Sequence, residues 1–201
     1  MRSGMATAAV LLALLLAVTA WAQPPKVPEA VQKAGEVLTA LGDIELLLVL
    51  TPLQLNKEQL GKIKPLLEQA QAELMRMEER NAQALLQLRE EVMKAREEAL
   101  KGRQPSEEFR KKLREADSAA SQLRLKTIDQ VVRSLWARLD ALLTSEQKST
   151  IHNWSREQMR AARRPDVERV SRQELGEFFT REVLLAPRTL PLLEELQKVA
   201  E

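Results

Sequence analysis

The chain has no cysteine, no tyrosine, only three phenylalanines and three tryptophans, and six glycines in 201 residues. Each scarcity removes a class of structure or chemistry. Without cysteine there can be no disulfide, no thiolate metal ligand, and no lipidated N-terminal cysteine to tether the chain to a membrane. His152 is the only histidine, so one chain alone lacks the donors for a good tetrahedral metal site. His152 stands as the sole metal candidate, through a site shared between chains, and the more economical reading is a structural histidine. Few aromatics and no dense basic block leave nothing to stack bases or follow a phosphate backbone, so nucleic acid is not an expected partner. No Gly-rich phosphate loop and no Ser–His–Asp arrangement is discernible. Acid pairs such as Glu78-Glu79, Glu90-Glu91 and Glu97-Glu98 fall on charged helical stretches, where nothing suggests a desolvated cleft to perturb them. The chain does not read as an enzyme, and no cofactor is expected.

Ala, Leu, Glu, Gln, Lys and Arg dominate what is present, and strand-type clusters of β-branched and aromatic residues do not occur. That composition predicts an all-α protein of long helices. Thirty-one Lys and Arg stand against 29 Asp and Glu, with the middle of the chain mildly basic and both ends acidic. At the N-terminus, Arg2 precedes the apolar run Ala6–Ala20, and Ala20-Trp21-Ala22 fits a small-x-small cleavage site. A signal peptide over residues 1–22, cleaved near Ala22, with an uncleaved anchor as the alternative, and a proline-rich leader over 23–28 are expected from this pattern. The expected location is extracytoplasmic, most simply a bacterial periplasm. No later stretch reaches the length of a bilayer span, so no stable membrane insertion is expected.

Residues 29–163 read as a helical-hairpin domain and 164–201 as a C-terminal helical extension. A first helix is predicted over Glu29–Leu50, with its last segment, Ile44–Leu50, apolar nearly all round and therefore buried. The next should run from Lys57 to Lys101, kinked by Pro65. Its seam is Leu60, Ile63, Leu67, Ala70, Leu74, Met77, Ala84, Leu88, Val92, Ala95 and Ala99, with a stutter at Leu88 to Val92. Met77 fits this seam and Met75 does not. Gly102–Ser106 supplies a left-handed stop and a new cap. A second stripe follows, through Phe109, Leu113, Ala116, Ala120, Leu123, Ile128, Val132, Leu135, Leu139 and Leu142. A short turn between two long striped helices makes an antiparallel hairpin. A helix from Ser145 to Arg163, one from Arg172 to about Leu185 behind a Ser171/Glu174 capping box, and a final amphipathic turn or two complete the chain.

One phrase occurs twice. Leu55-Asn56-Lys57-Glu58-Gln59 and Leu143-Thr144-Ser145-Glu146-Gln147 each place a capping residue three positions before a glutamine. In such a box the cap side chain accepts from the glutamine N–H while the glutamine side chain accepts from the cap N–H. An overlapping Leu50-Thr51-Pro52-Leu53-Gln54 matches Leu-Thr-x-x-Gln literally, where Leu55–Gln59 has Asn for Thr, but the seam starts only after Gln59. Two such boxes flanking a long hairpin, in a chain with an export-type N-terminus, resemble the LTxxQ-motif family of periplasmic proteins, the Spy/CpxP-like group with the zinc resistance-associated proteins. The likeness spans roughly residues 44–163. It implies a bent helical hairpin that pairs as a homodimer into a cradle. It also implies ATP-independent, chaperone-like or envelope-stress binding of unfolded or misfolded envelope proteins. The alternative role it carries is that of a metal-responsive or regulatory accessory, with a sensor kinase or sigma-factor regulator as partner. The basic residues of the middle helix, Arg110, Lys111, Lys112, Arg114, Arg124 and Lys126, are the candidate client contacts on that reading.

Overall fold

The computed structural model describes residues 28–199; the expected signal peptide and all of the leader but Pro28 lie outside them. Seven α-helices and no strand occur among the described residues: α1 (Glu29–Leu50), α2 (Lys57–Gln87), α3 (Arg89–Leu100), α4 (Glu107–Asp140), α5 (Ser145–Ala161), α6 (Arg172–Phe179) and α7 (Thr189–Val199). The all-α fold is thus the observed one. Two compact units divide the chain, Met1–Gly42 and Asp43–Glu201. In the first, α1 begins with a Lys33–Glu29 pair at 2.7 Å and leaves Val31, Val37, Leu38 and Leu41 exposed.

The second unit holds the core. Four of its helix starts can be traced to a capping side chain. Asn56, Ser106, Thr144 and Ser171 accept from the N–H three residues on, at the heads of α2, α4, α5 and α6. Stops are equally local. Gly102 takes φ +75°, and the N–H groups of Gly102 and Arg103 donate to the carbonyls of Ala99 and Glu98, a Schellman ending. Arg163 repeats this geometry at φ 55°, with Arg163 and Arg164 donating to Arg160 and Met159. Pro165 then follows.

α2 and its continuation α3 form an antiparallel hairpin with α4, in a register shown by three cross-helix contacts: Gln69 with Arg138, Glu78 with Arg124, and Glu91 with Lys112. The expected single helix over 57–101 is in fact two. It runs unbroken through Pro65 and is interrupted at Leu88, whose N–H donates to the Leu85 carbonyl one residue early. That is the position of the stutter, where the seam must shift around the helix.

Leu60, Ile63, Leu67, Ala70 and Met77 of α2 are buried, facing Val131, Val132, Leu135, Trp136 and Leu139 of α4. Their core is completed by residues far along the chain: Phe179, Val183, Leu184 and Leu193. The C-terminal extension is therefore part of the packed base. Thr180–Leu184 continues α6 as a π-helical turn, so the expected helix to Leu185 changes pitch after Phe179. The last element is longer than a turn or two, and it seats Leu192 and Leu193 in the base. One expectation needs correction. Ile44–Leu50 is not buried all round: Leu50 is buried, Leu46, Leu47 and Val49 are half-buried, and Ile44 and Leu48 are exposed. The base offers α1 packing partners on one side only.

Candidate functional site

The two repeated phrases meet in space. Within each box the expected bonds form: Asn56 Oδ1 accepts from Gln59 N at 2.8 Å, and Thr144 Oγ1 from Gln147 N at 3.2 Å. Gln59 Oε1 accepts in return from Asn56 N, and Gln147 Oε1 from Thr144 N. The side-chain amides then pair head to tail across 88 residues. Gln59 Nε2 donates to Gln147 Oε1 at 2.8 Å, and Gln147 Nε2 to Gln59 Oε1 at 3.0 Å. Their second N–H groups reach the Leu142 and Leu53 carbonyls, at 2.9 and 3.0 Å. Every amide group of both glutamines is used, which suits the burial of Gln59. Leu143 is buried and Leu55 packs against the same core. Thr51–Leu53 forms a 3-10 turn and Gln54 is left-handed at φ 47°, so the overlapping Leu50–Gln54 spelling does not head a helix. The clasp is structural: it locks two helix starts together and contains no group placed to react.

Beyond the clasp, the hairpin thins to two helices. No residue between Met77 and Val131 is buried. The predicted seam persists only as half-buried Leu88, Val92 and Ala95, while Ala84 and Ala99 are exposed. Apolar side chains off the seam stand in solvent here: Leu86 is 65% exposed, Leu100 72% and Leu125 72%, with Leu85, Met93 and Leu113 less so. Met75 (67%) lies at the root of this arm, beside a groove of about 480 Å³ lined by Leu74, Met77, Ala82 and Ile128. Sequence reasoning passed over Leu86, Leu100 and Leu125. The available signal was their spacing, which takes them off the stripe that a partner helix could cover.

The six basic candidates all lie on α4 within the arm, and they divide by partner. Arg124 makes a bidentate pair with Glu78 at 2.9 and 3.0 Å; that hydrogen bond holds the Glu78 carboxyl below its usual range and the guanidinium above its own. Lys112 reaches Glu91 at 3.1 Å, which raises its ammonium pKa. Arg110 pairs with Glu107 and donates to the Pro105 carbonyl. Lys111 sits 3.9 Å from Glu115. Only Arg114 and Lys126 of the six carry no ion pair among the described residues. The set therefore splits into four charges that brace the arm or its own helix and two that project freely.

His152 lies in the base, its ring 6.1 Å from that of Trp136 in an edge arrangement. Burial pushes its pKa down, with Arg172 and Arg156 adding to the effect. Among the described residues no group of three or more His, Asp or Glu is arranged to hold a metal ion, and no helix is long and apolar enough to cross a membrane. Compared with protein-family models, curated proteins and solved structures, the chain matches none.

Proposed function

We propose that this protein is a chaperone-like holding protein of the envelope, which binds unfolded segments of other proteins on its two-helix arm without ATP. The observation that carries the reading is the arm itself: helices that persist from Glu78 to Gln130 with no buried residue while presenting Leu86, Leu100 and Leu125 to solvent. Scattered apolar side chains set among charges suit weak, promiscuous contact with an unfolded chain. Flexible Met75 and Met93 add adaptable surface. Arg114 and Lys126 supply free positive charge for acidic stretches of a client. The export-type N-terminus and the paired Asn/Thr-x-x-Gln boxes support a periplasmic setting, and a homodimer would widen the binding surface.

The test is aggregation of a chemically unfolded client, followed by light scattering without nucleotide. Suppression at a few-fold molar excess is expected. It should be lost when residues 85–117 are replaced by a short Gly-rich loop that leaves the base intact. Absence of suppression by the intact protein, or full suppression by the shortened one, overturns the assignment.

A further inference from the structure

A cleft of about 970 Å³ opens on the base between the C-terminal half of α4 and the helices α5 and α6. Four cationic side chains from three helices line it: Arg133 from α4, Lys148 and Arg156 from α5, and Arg172 from α6. The only acid in its lining is Asp140. Arg133 is engaged by Asp129 at 2.9 Å, and Lys148 by Asp140 at 3.2 Å. Arg156 and Arg172 make no hydrogen bond or ion pair among the described residues. His152 lines the same cleft, and its Nε2 is buried without a hydrogen-bond partner.

We infer that this cleft is a binding site for a phosphate-bearing anion, held by Arg156 and Arg172 with Lys148, and with the His152 ring as a close neighbour. Guanidinium groups present paired N–H donors whose spacing matches two oxygens of one phosphate. Two of them unneutralised, in a concave site whose other two cations, Arg133 and Lys148, each have one carboxylate partner, create a positive potential that a compact dianion relieves better than a single carboxylate. Ser145, Ser149 and Asn153 add neutral donors on the α5 side. The volume is that of a small-molecule site. The same phosphate could belong to a soluble metabolite or to a lipid headgroup at a membrane surface. The site lies in the base and does not depend on what the arm binds.

The lone histidine makes the test direct, because its imidazole protons give one resolvable set of signals. The charged groups facing it are Arg172, Arg156 and Lys148, which disfavour its protonation, and Asp140, which favours it. A bound dianion must raise the His152 pKa and bind more tightly as pH falls through that value. Pyrophosphate titrated into the full protein should show saturable binding by calorimetry together with this upward shift. Arg156→Gln and Arg172→Gln should each weaken it about tenfold, with melting temperatures unchanged, while Arg114→Gln on the arm should leave it as it is. Co-sedimentation with phosphatidylglycerol vesicles that is lost in the Arg156→Gln/Arg172→Gln double variant, without pyrophosphate binding, would assign the phosphate to a headgroup. Binding of neither probe below about 1 mM, or affinities equal in parent and double variant, overturns the site.

Discussion

The base and the arm belong to one hairpin, α2 with its continuation α3 against α4, yet they obey different rules. In the base, α2 and α4 are covered by the Leu46–Leu50 end of α1, by α5, α6, the π-turn and α7, and side chains as large as Phe179 and Trp136 are almost wholly buried. In the arm, the same heptad-like spacing continues, but each helix has one neighbour. A two-helix contact covers only a narrow strip, so a repeat that means core at Leu67 means half-exposure at Leu88 and Val92. Hydrophobic periodicity therefore says which way a side chain faces. How far it is buried depends on how many layers lie beyond it.

The strongest way to break the comparison is at Gly176. A Cβ there would lie 1.9–2.4 Å from the Cε2, Cζ2 and Cδ2 atoms of Trp136, a rigid ring only 4% exposed. Gly176→Ala should destabilise the protein by about 3 kcal/mol, seen as a lower midpoint in urea with the slope unchanged. An effect below that of an ordinary surface change would mean the base is looser than its packing suggests. Next is the glutamine clasp. Gln59→Leu strands the Leu142 carbonyl and removes half of the amide pair, at a cost of about 2 kcal/mol. A cycle with Gln147→Leu should show the two changes to be less than additive by about 1 kcal/mol.

The arm should be far more forgiving. Leu125→Ser and Arg124→Gln should each change global stability by no more than about 0.5 kcal/mol, since Leu125 is exposed and Arg124 and Glu78 are each about half exposed. The same Leu125→Ser should weaken client holding, an outcome that separates the arm's role from the base's. A pH titration sharpens this further. The folded Glu78 pKa lies below its unfolded value, so the small stability it contributes is present above the ordinary glutamate range. That contribution is lost as pH falls through the folded value. Circular dichroism of Arg124→Gln should lose this acid-side step while the base transition stays in place.

Much of the local structure was legible because it is encoded within four or five residues. Asn56, Ser106, Thr144 and Ser171 announce helix starts and Gly102 announces a stop, whereas the stutter was legible without the break that it makes at Leu88. The free arm was not legible, because no local rule states how many neighbours a seam will have. Nor was the cationic cleft. Arg133, Lys148, Arg156 and Arg172 are spread over 40 positions of ordinary helical surface, and only the docking of α6 against α4 and α5 brings them to one opening. The extension from Arg164 looked separable because its pattern differs from the hairpin's, although its apolar side chains had no other surface to cover.

Two phrases spelled alike, Leu55–Gln59 and Leu143–Gln147, show where the division falls. The chain's own chemistry determined that both would cap helices, that the protein would be all-helical, and where the four capped helices would begin. Backbone donors and side-chain acceptors three residues apart find each other whatever surrounds them. Only the tertiary structure decided that the two glutamines would pair with each other. It also decided that α7 would close the core and that α2 and α4 would run on uncovered. Those outcomes depend on which distant surfaces compete to exclude water, and that competition is resolved by the whole chain at once.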